Sequence, residues 1–179
     1  MIKFTGIAHN TAMFLQKEQL SDPSLWAKFV DVYRSQPDGN NNGWRGEYWG
    51  KMMRGACLVY EYTQDEKLYS TLTDSVKDMM TVADTDGRVS SFPRDNEFIA
   101  WDMWCRKYVI LACEYYIDIC RDGALKSEII QFISRATDYI IFRIGNGDGQ
   151  KNINKASNFW LGLNSSSILE PIEIGRAHV

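Results

Sequence analysis

Histidine is scarce in this chain of 179 residues, which contains His9 and His178 and has no C-x-x-C pair among its four cysteines. A complete zinc site is therefore not expected, because such a site needs three or four closely placed His, Cys or carboxylate ligands. Cys105, Cys113 and Cys120 fall on one predicted helix and lie too far apart along it for a disulfide. We expect buried free thiols and no metal ligand.

An excess of positive charge is also lacking, since 20 Lys and Arg face 23 Asp and Glu for a net charge of −3. This balance argues against a nucleic-acid or anionic-membrane partner. No apolar run approaches the roughly 20 residues that span a bilayer. The opening segment, MIKFTGIAHNTAMFLQ, is interrupted by polar residues and is a poor signal peptide. We expect a soluble protein, cytoplasmic or periplasmic in a bacterium, and the oligomeric state stays open.

Apolar residues at helical spacing are abundant, and they predict an all-α fold. Asp22-Pro23 is a helix start, with a capping carboxylate followed by proline at the first helical position. No segment shows a convincing strand pattern. Further helices are predicted over 47–62, 66–83, 101–120 and 124–144.

An internal repeat relates the segment 47–62 to the segment 101–120. At a spacing of 56, Lys51 and Cys57 fall on Lys107 and Cys113. The repeated unit is a helical hairpin, and its long spacing favours a closed α/α toroid over an open solenoid. We expect 47–62 and 101–120 to run parallel on the inside, with 66–83 and 124–144 outside.

The segment Trp101–Cys120, WDMWCRKYVILACEYYIDIC, is apolar nearly all round despite a charged arc. A helix of this kind is buried on most sides. We therefore expect Tyr108 and Tyr115 to belong to the core.

Clusters of aromatic and polar residues precede three successive inner helices, in WRGEYW, RDNEFIAWDMW and NFWLGLNSSS. Aromatic faces can stack on the C–H faces of a sugar, while carboxylates, guanidinium and amide groups bond its hydroxyls. The alternative for each residue is a loop ion pair or a tryptophan that fills a helix end. The recurrence favours a carbohydrate site, with candidate substrate-binding residues Trp44, Glu47, Trp49, Arg94, Glu97, Trp101, Asp102, Asn164 and Ser166.

The motifs WRGEYWGKMMRGACLVYEYT, DGRVSS, WDMWCRKYVILACEYYIDIC and NSSSILEPI, over about Gly43 to Ile172, resemble the N-terminal helical domain of glycoside hydrolase family 127, which includes bacterial β-L-arabinofuranosidases. The resemblance implies about half of an (α/α)6 barrel, followed in the intact enzyme by β-sandwich regions. It also implies a retaining mechanism with a zinc-bound cysteine nucleophile and a glutamate acid/base, both downstream of this region, so that zinc belongs to the intact enzyme.

Within the resemblance, Glu47 and Asp102 match acidic positions of the family pattern. Trp101 and the serines around Ser166 stand where characterised arabinofuranosidases carry sugar-contacting histidines, which implies a different sugar. No catalytic residue is expected in this fragment, which alone would be inactive. Two other functions stay open: another α/α-barrel sugar enzyme, such as an unsaturated glycuronyl hydrolase or sugar epimerase, and a non-enzymatic helical-hairpin scaffold that binds a glycan or peptide.

The last seven residues, EIGRAHV, show no helical period and match the translation of a common sequencing adapter. We therefore expect residues 1–172 to be the N-terminal portion of the barrel domain of a truncated protein. Residues 173–179 are expected to be non-native.

Overall fold

The computed structural model describes residues 5–39 and 43–175, and within these ranges it contains helices and no β-strand. The prediction of an all-α fold is confirmed. Short 3-10 helices lie at Arg94–Asn96, Ile153–Lys155 and Trp160–Gly162, and a π-helical turn lies at Gln16–Leu20. The α-helices are α1 (Ile7–Leu15), α2 (Pro23–Ser35), α3 (Glu47–Thr63), α4 (Glu66–Met80), α5 (Asp102–Ile119), α6 (Gly123–Arg143), α7 (Leu163–Ser166) and α8 (Leu169–Gly175).

Aspartate caps begin three of the helices, α2, α4 and α6. The Asp22 carboxylate accepts a hydrogen bond from the backbone N–H of Ser24 at 2.9 Å, and Asp65 accepts one from Leu68 at 2.7 Å. Asp122 caps α6 in the same way. Each cap satisfies N–H groups that have no partner within the helix, so these starts could be located from sequence.

Helices α3 and α5 pack together and run parallel, as the repeat predicts. Contacts between them advance in the same direction along both helices: Glu47 accepts a hydrogen bond from Trp104, and Lys51 then lies 5.0 Å from the ring centre of Tyr108. Helices α4 and α6 each bury one apolar face in the same core. These buried faces are formed by Leu68, Leu72, Val76 and Met79 and by Leu125, Ile129 and Phe132.

Gly50 sets how closely α3 and α5 approach, because a Cβ there would overlap the backbone carbonyl of Tyr108. We expect Gly50→Ala to lower the free energy of unfolding by about 1–3 kcal/mol, since rigid backbone must shift to make room. Gly55→Ala is the matched control on the same helix, with open space around its Cβ; it should gain about 0.5–1 kcal/mol from helix propensity. Urea denaturation measures both changes. Equal stability of the two variants would show that this close approach is unimportant.

Helix α5 buries most of its charged residues. Asp102, Arg106 and Glu114 are buried, whereas Tyr108 and Tyr115 are half-buried. Tyr115 packs against the main hydrophobic core, whereas Tyr108 is not part of it. The prediction that these two tyrosines belong to the core is therefore confirmed for Tyr115 and wrong for Tyr108. Lys51 lies over the ring of Tyr108 and Arg54 over that of Tyr115. The loop between α4 and α5 supplies partners for the buried charges of Asp102 and Arg106.

Helix α8 lies beside α5 and continues through Glu173, Ile174 and Gly175. The expectation that the helical period stops at Ile172 is therefore wrong for these three residues. That residues 173–179 are non-native stays a prediction, and 176–179 lie outside the described residues. Over 5–39 and 43–175, none of the helices is both long enough and apolar enough to cross a bilayer.

Candidate functional site

Five aromatic side chains form a partly exposed surface where α5 begins and where the loop before α7 approaches it. This aromatic rim consists of Trp101, Trp104, Tyr108, Phe159 and Trp160. Its members are mostly half-buried, and Trp160 is 60% exposed. Rings of this size that remain open to solvent are candidate contact surfaces for a ligand.

Direct ring contacts hold the rim together. Trp101 stacks on Phe159 with ring centres 5.2 Å apart, and the edge-on ring of Trp160 lies 5.0 Å from Trp101. Trp104 continues the row, 5.9 Å from Trp101 and 5.3 Å from Tyr108. Trp101 occupies the N-cap position of α5, which brings the loop residues Phe159 and Trp160 against the helix start.

Charged groups surround the middle of this row. Glu47, the first residue of α3, accepts a hydrogen bond from Trp104 Nε1 and pairs with Lys51 at 2.9 Å. The Lys51 ammonium lies 5.6 Å from the ring centre of Trp104, and that of Lys107 lies 4.9 Å from it. Lys107 is also paired with Glu170 of α8. The rim therefore combines apolar faces with both hydrogen-bond donors and acceptors.

Two of the predicted site residues, Glu97 and Asp102, are committed to a buried ion-pair network. Glu97 Oε2 accepts hydrogen bonds from Arg88 and Arg106, each at 2.8 Å, and Glu97 Oε1 accepts one from the Tyr139 hydroxyl at 2.5 Å. Burial, followed by this hydrogen bond to Glu97, raises the pKa of Tyr139 to about 12. The network ties the loop before α5 to α5 and α6.

Asp102 is fully buried and completes this network. It accepts hydrogen bonds from Ser90 at 2.6 Å, from the Phe98 backbone N–H at 2.7 Å and from Arg106 at 3.0 Å. A carboxylate with three donors has little capacity left for a ligand. In this fold, Glu97 and Asp102 position the rim and do not line it.

The other predicted residues are dispersed. Trp49 is completely buried, and its indole N–H donates to Ser75 of α4 at 2.9 Å, so it faces the outer helix and not the rim. Arg94 is exposed and pairs with Asp84 and Asp86 at 2.7 and 2.8 Å. The pairing with Arg94 lowers the pKa of Asp86.

Trp44 is exposed and donates to the Tyr48 hydroxyl at 3.0 Å, next to α2. Asn164 is completely buried, and its amide has no hydrogen-bond partner among the residues that the structure describes. The Ser166 hydroxyl donates to the backbone oxygen of Leu163 at 3.1 Å. Of the nine predicted residues, Trp101 belongs to the rim and Glu47 touches it.

Lys51 and Lys107 were not predicted as site residues, although the repeat aligns them. Helices α3 and α5 run parallel, and the residues that touch across them differ in number by nearly the length of the repeat. Equivalent residues of the two repeats therefore lie close together where the helices meet. The alignment of these two lysines in the repeat was therefore a usable signal for a shared location.

The thiols are free, and those of Cys57, Cys105 and Cys113 are buried as predicted. Burial raises the pKa of the Cys57 and Cys113 thiols, which keeps them protonated and unreactive. Cys120 is half-buried. Within residues 5–39 and 43–175, no cluster of three His, Cys, Asp or Glu is placed to hold a metal.

The site as a whole is an open aromatic rim on a helical scaffold, next to the buried ion pairs of Glu97 and Asp102. It can present ring faces and a few charged groups to a polar ligand, and burial raises the pKa of the Cys57, Cys105 and Cys113 thiols. Compared with known proteins, the chain matches no protein-family model, no curated protein and no solved structure.

Proposed function

We propose that this chain is the sugar-binding part of a glycoside hydrolase related to family 127, and that it forms part of an (α/α)6 barrel. The observation that carries the proposal is the aromatic rim, a row of contacting rings that stays open to solvent at the start of an inner helix. The resemblance of the quoted motifs to that family supports it independently.

A carbohydrate fits the chemistry of this surface. The apolar C–H face of a sugar ring can lie on Trp160 or Trp101, where solvent would otherwise contact the indole. Glu47 supplies carboxylate acceptors beside Trp104, and the ammonium groups of Lys51 and Lys107 supply donors. The described residues would bind and orient the sugar, and the resemblance assigns bond cleavage to a cysteine and a glutamate downstream.

A second candidate, the unsaturated glycuronyl hydrolase, is favoured by the charges next to the rings. Lys51 and Lys107 both lie near Trp104 and Tyr108, and the guanidinium of Arg54 lies 5.1 Å from the ring centre of Tyr115. Two cations beside the rim and a third over another aromatic ring of α5 suit a sugar that carries a carboxylate. The same row would accept a neutral sugar without using this charge.

Trp160→Ala tests the sugar-binding proposal with little risk to folding, because the side chain is 60% exposed. We expect it to weaken binding of L-arabinose or D-glucuronate by about 5–30-fold, since one stacking face is lost. Nuclear magnetic resonance titration of the full chain measures these affinities. Phe142→Ala, which removes a 77% exposed aromatic ring from α6, is the matched control and should leave them unchanged.

The two sugars separate the two candidate functions. Lys51→Met should weaken glucuronate binding selectively if the cations recognise a carboxylate, and should affect both sugars equally if they do not. Absence of binding to either sugar, or equal effects of Trp160→Ala and Phe142→Ala, would contradict a carbohydrate site at the rim.

A further inference from the structure

A cavity of about 440 Å³ lies between α5, α6 and α8, away from the residues of the aromatic rim. This volume is in the range of small-molecule sites, which are typically mostly apolar with a few polar groups. Its apolar walls are formed by Ile110, Ile117, Ile130, Ile133, Pro171 and Ile172.

Glu114 of α5 reaches this cavity from a buried position. Glu114 is 2% exposed, and it lines the cavity. Neither carboxyl oxygen has a hydrogen-bond partner within the described ranges. Buried polar groups in folded proteins almost always have one, so Glu114 offers unused acceptor capacity to a molecule in the cavity.

The charges around Glu114 are mainly negative. Asp118 on α5 and Glu170 on α8 act on it, and Asp138 of α6 lines the same cavity. Lys107 is paired with Glu170. Burial, and then Asp118 and Glu170, raise the pKa of Glu114 to about 8. A cation would relieve this repulsion, whereas an anion would increase it.

We propose that this cavity is a binding site for small organic amines, with the apolar body against the isoleucines and the ammonium group donating to Glu114. This site is separate from the proposed sugar site and does not depend on it. At pH 7, binding of an ammonium ion ionises the Glu114 carboxyl, and the proton passes to the buffer.

The test uses three molecules with the same cyclohexyl body, titrated into the full chain at pH 7 by isothermal calorimetry. They are cyclohexylmethylamine, cyclohexylmethanol and cyclohexanecarboxylate. We expect the amine to bind about tenfold or more tightly than the alcohol, because its hydrogen bond to Glu114 is charge-assisted. The carboxylate should show no binding. Release of a proton should make the measured heat of amine binding depend on the ionisation enthalpy of the buffer.

Glu114→Gln keeps the size of the side chain and removes its charge. It should abolish the tenfold preference for the amine and the proton release, while cyclohexylmethanol still binds. Glu128→Gln is the matched control, since Glu128 is exposed on α6, and it should keep the preference. Ile133→Trp should fill the cavity and remove binding of both the amine and the alcohol, with circular dichroism to show that it folds.

Three results would overturn the proposal. These are no binding of the amine, equal affinity for amine and alcohol, and an amine preference that persists in Glu114→Gln.

Discussion

Replacing Glu97 with alanine should lower the free energy of unfolding by about 3–5 kcal/mol, a large fraction of the stability of a typical domain. The reason is that two buried arginines would lose the Glu97 carboxylate as their hydrogen-bond acceptor. Arg88 and Arg106 are 2% and 3% exposed, and both donate to the same oxygen of Glu97. Removal of one member of a buried ion pair leaves charges that neither water nor protein compensates.

Glu97→Gln separates charge from hydrogen bonding at this position. The amide oxygen can still accept one of the hydrogen bonds, so we expect a smaller loss than for alanine. Urea denaturation followed by circular dichroism measures both variants. Glu66→Ala is the control, because Glu66 forms an exposed ion pair with Arg121 at 2.7 Å and should change stability little. If Glu97→Ala were no more destabilising than Glu66→Ala, the buried network would not hold this loop.

The fold could be predicted from sequence because its signals are local. Asp22, Asp65 and Asp122 each cap the helix that follows, and they do so by bonding to N–H groups two or three residues away. Apolar spacing then fixes the face that each outer helix buries. These signals require no knowledge of which other segments lie nearby.

The candidate site was harder to predict because it depends on partners that are distant in sequence. A carboxylate such as Glu97, just ahead of a helix rich in tryptophan, fits a sugar site and a structural ion pair equally well. The structure favours the ion pair, because Glu97 accepts hydrogen bonds from Arg88, Arg106 and Tyr139, which come from a loop, α5 and α6. Sequence pattern alone does not bring these three groups to one point.

The repeat contained a signal that Trp49 is buried, although an aromatic residue at this place also fits a binding site. At the spacing of 56, Tyr48 corresponds to Trp104 and Trp49 corresponds to Cys105. Tyr48 and Trp104 keep part of their surface open, whereas Trp49 and Cys105 are completely buried. Position within the repeated unit therefore predicts exposure better here than residue type does.

Glu114 provides the second large expected effect, a stability that falls as the pH rises. The ordinary pKa of a glutamate is 4.5, and burial in the folded protein raises the pKa of Glu114 to about 8. Between these values the folded state keeps the proton that the unfolded state loses. The contribution of Glu114 is therefore fully present below about pH 4.5, decreases through this window and is lost above about pH 8.

Over the whole window, the contribution of Glu114 to the free energy of unfolding falls by about 3–5 kcal/mol. Glu114→Gln cannot ionise, so its free energy of unfolding should exceed that of the natural protein increasingly from pH 5 to pH 8. The slope of the difference should approach about 1.4 kcal/mol per pH unit. All other titrating groups are shared by the two proteins, so the difference isolates Glu114. Urea denaturation at pH 5, 6.5 and 8 measures it.

Parallel pH profiles for the two proteins would mean that the Glu114 carboxyl is already compensated in the folded state and titrates normally. Diverging profiles would establish a buried carboxyl that lacks a donor. Saturating cyclohexylmethylamine should then bring the two profiles together, because an ammonium group stabilises the ionised carboxylate in the folded state alone. Cyclohexylmethanol should shift both profiles equally, since it carries no charge to compensate.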